Sequence, residues 1–125
     1  MIGAIECGQL DLFPRATEED KETAKRKLSR YKRYVSIKIE LEKRSKLTPK
    51  QQVALEECNR NIIDLEGAVK LILDPEIREI VQYRYIEGNT WKLTVLHFAN
   101  MMDDRTVDHK LRRGIESVAE TLLIC

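Results

Sequence analysis

The fold turns on Asp74-Pro75-Glu76-Ile77-Arg78-Glu79-Ile80-Val81-Gln82-Tyr83-Arg84-Tyr85-Ile86-Glu87-Gly88. An Asp before a Pro opens a helix: the carboxylate accepts from the free backbone N–H groups of the first turn, and Pro at the first position has no N–H to leave unpaired. Ile77, Ile80, Val81 and Tyr85 then recur at helical spacing and define one buried face. Gly88 closes the segment, as a residue free to take positive φ does at a helix end. Thr90 caps the next helix, with Trp91 near its start and Leu93, Leu96 and Phe98 among its apolar residues. Trp91 is expected to anchor the packing of a three-helix core. Asp103 or Asp104 caps the last helix, in which Val107, Leu111, Ile115, Val118 and Leu122 form the buried stripe.

Upstream of this unit the chain reads as two further helices. Thr17 followed by Glu18, Glu19 and Asp20 is a helix start with acids against the positive end of the dipole. Leu28, Tyr31, Val35 and Ile39 continue at helical spacing, with Tyr34, Ile37 and Leu41 widening the stripe, so one helix is expected to about Leu47. Thr48-Pro49 restarts a helix, and Leu55, Cys58, Ile62, Leu65, Val69 and Ile72 alternate steps of three and four along it. Such a stripe needs a partner. The short connection makes an antiparallel hairpin with the preceding helix the simplest one, and a homodimer through this stripe is left open. The expected organisation is a tail over 1–16, mobile by its composition, a helical hairpin over 17–73 and a helix-turn-helix over 74–125, all-α throughout.

With Val107, Leu111, Ile115 and Val118 turned inward, the last helix presents Arg105, Asp108, His109, Arg112 and Arg113 outward, with Lys110 on the flank. Arginine grips guanine through two hydrogen bonds or holds phosphate, and His109 can donate to either. If this helix is the reading helix of a helix-turn-helix, the residues expected to contact double-stranded DNA are Arg105, Thr106, His109, Lys110, Arg112 and Arg113; the other reading is an ordinary amphipathic surface helix.

The segment from Asp74 to Gly88, with its Arg84-Tyr85 pair and Trp91 beyond the Gly, resembles the opening of region four of bacterial sigma factors. Arg105-Thr106-Val107-Asp108-His109-Lys110-Leu111-Arg112-Arg113-Gly114 resembles the Thr-Val-led recognition helix of that module. With the Leu28–Glu42 stretch and a second charged helix before it, the chain is similar to ArpU/RinA-type phage regulators over most of residues 25–123. That resemblance implies an N-terminal helical arm joined to a sigma-region-four-like helix-turn-helix, and control of late phage genes. Two departures stand out. The interval from Trp91 to Val107 is about two residues longer than the sigma pattern, and Asn100-Met101-Met102-Asp103-Asp104 replaces the small residue and Gly of the turn. Residues 89–125 hold 5 Lys+Arg against 5 Asp+Glu, a neutral balance for a module whose affinity rests on counterion release. Modest affinity is expected, aided by dimerisation, by the basic first helix or by a protein partner such as RNA polymerase.

Gln9-Leu10-Asp11-Leu12-Phe13 resembles the peptide with which many bacterial replication and repair proteins hold the β sliding clamp of DNA polymerase. That resemblance implies clamp binding through Gln9, Leu10, Asp11, Leu12 and Phe13, with Leu12 and Phe13 entering an apolar pocket and Gln9 as polar anchor. The other reading is that the segment folds back over the helical core.

Composition sets the remaining bounds. Apolar residues at 42% supply a core, and charged residues at 34% with 5 Gly and 3 Pro favour a helical protein. Net charge is +1, yet residues 15–50 hold 13 Lys+Arg against 6 Asp+Glu while residues 51–88 hold 4 against 8. A basic helix beside an acidic one is either a pair of complementary solvated faces or a phosphate contact. Cys7, Cys58 and Cys125 match neither a disulfide framework nor a zinc spacing. There is no signal-peptide pattern, and no apolar run nears the roughly 18 residues of a membrane span, so no membrane partner and a cytoplasmic, nucleoid-associated placement are expected. No Gly-rich phosphate loop or nucleophile motif is present, and His97 reads as a satisfied or half-exposed residue, so no enzyme activity, cofactor or metal is expected.

Overall fold

The computed structural model describes residues 15–125. Among them the chain is all-α: six α-helices and one π-helical turn, with no strand. Helix α1 (Glu18–Ser29) opens as expected. The Thr17 hydroxyl accepts from the Asp20 N–H at 3.1 Å while the Asp20 carboxylate accepts from the Thr17 N–H at 2.8 Å. It stops at Arg30 (φ −99°, ψ 1°), and α2 (Tyr31–Glu42) begins one residue later.

The single helix expected to about Leu47 is thus corrected twice: it breaks at Arg30 and ends at Glu42. The break serves packing, because α1 lies mainly against the last helix and α2 mainly against the helix that follows it. The early end also has a cause. After the buried Leu41, no apolar residue precedes Leu47 to fasten a further turn.

Helix α3 (Pro49–Lys70) starts with Pro49 in its first turn and a reciprocal cap between Thr48 and Gln51. Cys58, Ile62, Leu65, Ala68 and Val69 form its buried stripe. Across the α2–α3 contact the Tyr31 hydroxyl donates to the Glu66 carboxylate. Burial pushes the Tyr31 phenol up to about 12, with the adjacent Glu66 carboxylate adding to it.

Helix α4 (Pro75–Val81) begins where the sequence places it, with the Asp74 carboxylate accepting from the Glu76 N–H at 2.8 Å and the Ile77 N–H at 3.3 Å. Arg78 steadies the incoming loop by donating to the Ile72 carbonyl at 2.7 Å. The helix then widens into a π turn (Gln82–Ile86), in which the Glu87 N–H donates to the Gln82 carbonyl at 2.9 Å. Gly88 follows with φ 78°, the one residue described with positive φ. Two further helices complete the chain: α5 (Trp91–His97), capped by Thr90, and α6 (Asp104–Leu122), capped by Asp103.

One continuous core joins residues on both sides of Asp74, from Ala24 and Leu28 through Leu65 and Val69 to Ile80, Val81, Val107 and Val118. Each of its fully buried Leu, Ile or Val side chains contributes about 1.5–3 kcal/mol relative to exposure. Gly114 is what lets α6 approach α4. A Cβ built there would meet Val81 Cγ2 at 2.3 Å and Ile77 Cγ2 at 3.1 Å. No helix among the described residues is long and apolar enough to cross a membrane.

Candidate nucleic-acid interface

The outward surface of α6 is defined by what its other sides touch. The Asp103 carboxylate accepts from the Thr106 N–H at 2.8 Å, and the Thr106 side chain, with that N–H, holds it below the usual carboxylate range. Val107, Leu111, Ile115, Val118 and Ala119 point into the core, with Gly114 against α4. On the α4 flank the Lys110 ammonium pairs with the Glu76 carboxylate. On the α1 flank Lys21 reaches Glu116 at 3.5 Å.

The remaining sector, turned away from both neighbours, carries Arg105, His109, Arg112 and Arg113, all exposed. Of the six expected DNA contacts the structure therefore brings four together on one solvent face. It holds Thr106 and Lys110 half-buried at the margins, Lys110 engaged with Glu76. Arg112 is exposed but paired through Nε with Asp108 at 3.1 Å, one turn earlier on the same helix. Arg105, His109 and Arg113 carry no ion pair among the described residues. Guanidinium groups free of internal partners keep their full donor set for carboxylate-like or phosphate oxygens and base edges.

Beside this sector runs an open cleft between α1 and α6. Lys21 and Lys25 from α1 face His109, Arg112 and Arg113 from α6, with Glu18, Glu22, Asp108 and Glu116 interspersed. Ion pairs absorb Glu18 and Glu116 (with Lys21) and Asp108 (with Arg112), which leaves Lys25, His109 and Arg113 against Glu22.

Helix α5 departs from expectation. Trp91 is not a core anchor: it is 38% exposed in the first turn, and Leu93 (47%) and Leu96 (61%) also face solvent. The helix is only seven residues long and packs chiefly on the π turn, so it cannot cover its own apolar side. Its attachment is made by other residues. Thr94 is fully buried and donates its hydroxyl to the Thr90 carbonyl at 2.8 Å, and Phe98 is 3% exposed. Tyr83 from the π turn stacks on His97 (centroids 4.0 Å apart, planes at 16°) and meets Phe98 edge-on at 5.9 Å. The loop into α5 is held by Arg84 donating to the Asn89 carbonyl at 2.7 Å and by the Asn89 amide donating to the Tyr83 carbonyl at 2.9 Å.

Sequence reasoning placed Asp108 on the outward face without pairing it to Arg112, and did not single out Glu76 or the Tyr83–His97 stack. The Asp108–Arg112 pair has a readable signal, an acid four residues before a base on a helix. The Lys110–Glu76 pair has none, since it joins residues 34 apart in sequence. Gln9, Leu10, Asp11, Leu12 and Phe13, the expected clamp-binding residues, lie outside the described residues. No family model, curated protein or solved structure matches the chain.

Proposed function

We propose that this chain is a sequence-specific DNA-binding transcriptional regulator of phage or prophage type. In this reading α2 and α3 form the helical arm, and α4, α5 and α6 form a sigma-region-four-like helix-turn-helix. Helix α6 enters the major groove of duplex DNA and the arm serves as its platform. The observation that carries the reading is the sector of α6 bearing Arg105, His109 and Arg113, exposed and without internal ion pairs among the described residues, opposite a fully packed apolar stripe. In solution this predicts salt-sensitive binding to duplex DNA, with Arg105 and Arg113 supplying base or phosphate contacts and Arg112 joining once Asp108 releases it. Each bidentate base contact contributes about 1–3 kcal/mol of discrimination. Asp103 and Asp104 at the entry of α6 oppose phosphate approach beside Arg105, so the footprint extends from Arg105 along the helix to Arg113 and not onto the preceding turn.

The proposal places the protein in the bacterial cytoplasm at the nucleoid, as a monomer or homodimer, with the Gln9–Phe13 segment as a tether to the β sliding clamp. Selection of fragments from pooled host and phage genomic DNA, followed by titration of the enriched duplex across a salt series, tests it. The wild-type chain enriches one fragment, and Arg105→Ala/Arg113→Ala loses that preference. Equal enrichment by both proteins refutes the assignment to α6.

A second reading is favoured by one observation: Trp91, Leu93, Leu96 and Met101 leave an apolar surface on α5 and the following turn. On that reading the helix-turn-helix docks on RNA polymerase or another protein without specific DNA contact. Wild-type protein that retains polymerase but no DNA fragment decides in its favour.

A further inference from the structure

We infer that the elbow between α1 and α2 is a second phosphate-binding surface, which grips the backbone of the same duplex beside the groove that α6 enters. Lys25, Arg26, Lys27, Arg30, Lys32 and Arg33 fall within nine residues, and no acid occurs between Glu22 and Glu40. All but Lys27 are exposed. None of the six takes part in an ion pair among the described residues, whereas Lys21, Lys38, Lys43, Arg60, Lys110 and Arg112 all do. Six basic side chains on consecutive turns with no acid among them make a concentrated positive field.

The elbow is placed where such a field is of use. Lys25 lines the cleft it shares with His109, Arg112 and Arg113 of α6. Two turns on, the Lys32 stem lies against Gly88, its Cγ 2.9 Å from where a glycine Cβ would stand, at the turn that leads into α5. Lys25 and Lys32 therefore lie on one flank of the elbow, the first beside the outward face of α6 and the second beside the entry to α5. The acids along this flank are Glu18, Glu22, Asp108 and Glu116 in the cleft and Glu87 beside Gly88; Glu18 and Glu116 pair with Lys21 and Asp108 with Arg112, which leaves Glu22 and Glu87. A duplex seated on α6 thus has a cationic rail beside it that reads no sequence, because phosphate contacts position without specifying. The rail also resolves the electroneutrality of residues 89–125: the counterion release comes from α1 and α2, and the reading comes from α6.

The inference rests on the DNA-binding proposal, and its test separates the two. The slope of log affinity against log salt is measured with a random-sequence duplex and with the duplex enriched by selection. The proteins are the wild type, Lys25→Gln/Lys32→Gln, and Arg105→Ala/Arg113→Ala, with thermal melts to verify that each is folded. Lys and Gln have similar helix propensity, so the exposed α1 and α2 positions tolerate the change. The expected result is that Lys25→Gln/Lys32→Gln flattens the slope by about 1.8, about 0.9 for each phosphate no longer neutralised, and weakens both duplexes equally. The α6 variant lowers the ratio between them instead. An unchanged slope for Lys25→Gln/Lys32→Gln, with the α6 variant impaired, overturns the elbow and leaves the α6 reading standing. A flattened slope with an unaffected α6 variant upholds the elbow and overturns groove reading. A wild-type chain that binds neither duplex overturns both.

Discussion

Two glycines, each inside a helix, should respond in opposite ways to the same added methyl. Gly67 lies near the end of α3, and a Cβ built there meets nothing within 4 Å. Gly→Ala in a helix interior gains about 1 kcal/mol from propensity alone, so Gly67→Ala should stabilise by about that amount. Gly114 gains the same propensity term but drives its Cβ to 2.3 Å from Val81 Cγ2, against about 3.5–4.0 Å for an ordinary carbon contact. Val81 is 0% exposed, so it has nowhere to turn, and α4 and α6 must part by roughly the missing ångström. Overpacking of this kind costs typically about 1–3 kcal/mol, and here the close approach to two branched side chains places it at the upper end. The net for Gly114→Ala is a loss of about 1–2 kcal/mol.

For a chain of this length about 1 kcal/mol corresponds to about 4 °C in Tm. Calorimetry should then read about +4 °C for Gly67→Ala and about −4 to −8 °C for Gly114→Ala. Combining Gly114→Ala with Val81→Ala should cost less than the sum of the two single changes, since the cavity made by one receives the methyl of the other. A Gly114→Ala protein that melts at or above the wild-type temperature refutes the claim that this glycine sets the α4–α6 separation.

Tyr31 ties stability to alkaline pH. Burial raises its folded pKa to about 12 from an ordinary 10.0, so its contribution is complete below pH 10 and changes as pH rises toward 12: the unfolded phenol ionises first, and stability falls across that interval. Tyr31→Phe should flatten the decline in Tm there, leaving the smaller slope from Tyr85, whose phenol burial also pushes up; an unchanged decline contradicts the assignment. Phe98→Ala should cost about 3–5 kcal/mol as a core truncation. Leu96→Ala, two residues away but 61% exposed, should stay within about 0.5 kcal/mol in denaturant titration, and comparable losses would contradict the placement of α5. Leu12→Ala/Phe13→Ala should abolish retention on immobilised β clamp while leaving DNA affinity unchanged; retention of the double variant rules out the Gln9–Phe13 tether.

What could be read from the chain alone was local chemistry. The caps at Thr17, Thr48, Asp74, Thr90 and Asp103 all stand where Ser/Thr/Asp-type signals place them, and Gly88 takes the positive φ its position suggests. The stripes of α3 and α6 were legible because each is a long helix whose period survives over several turns. The break at Arg30 was not, because the apolar repeat runs through it without Gly or Pro, and the cause is a change of partner from α6 to α3. The π turn leaves no mark in the spacing either. Trp91 misled because size argues for burial, whereas a seven-residue helix with few neighbours buries the small Thr94 and its trailing Phe98 instead. At the candidate interface the residue types were readable, but their availability only in part. Arg112 has its acid one turn back at Asp108, which the i, i+4 spacing makes readable, whereas Lys110 looks like a free cation in sequence and only the fold brings Glu76 to it.

The most direct test of α6 as a DNA-reading helix is an amide and side-chain NMR titration of the labelled full chain with duplex DNA. A reading helix with a phosphate rail beside it predicts shifts concentrated at Arg105, His109, Arg112 and Arg113, with Lys25 and Lys32 following and α3 silent. Shifts confined to Trp91, Leu93 and Leu96, or none at all at saturating duplex, would contradict it.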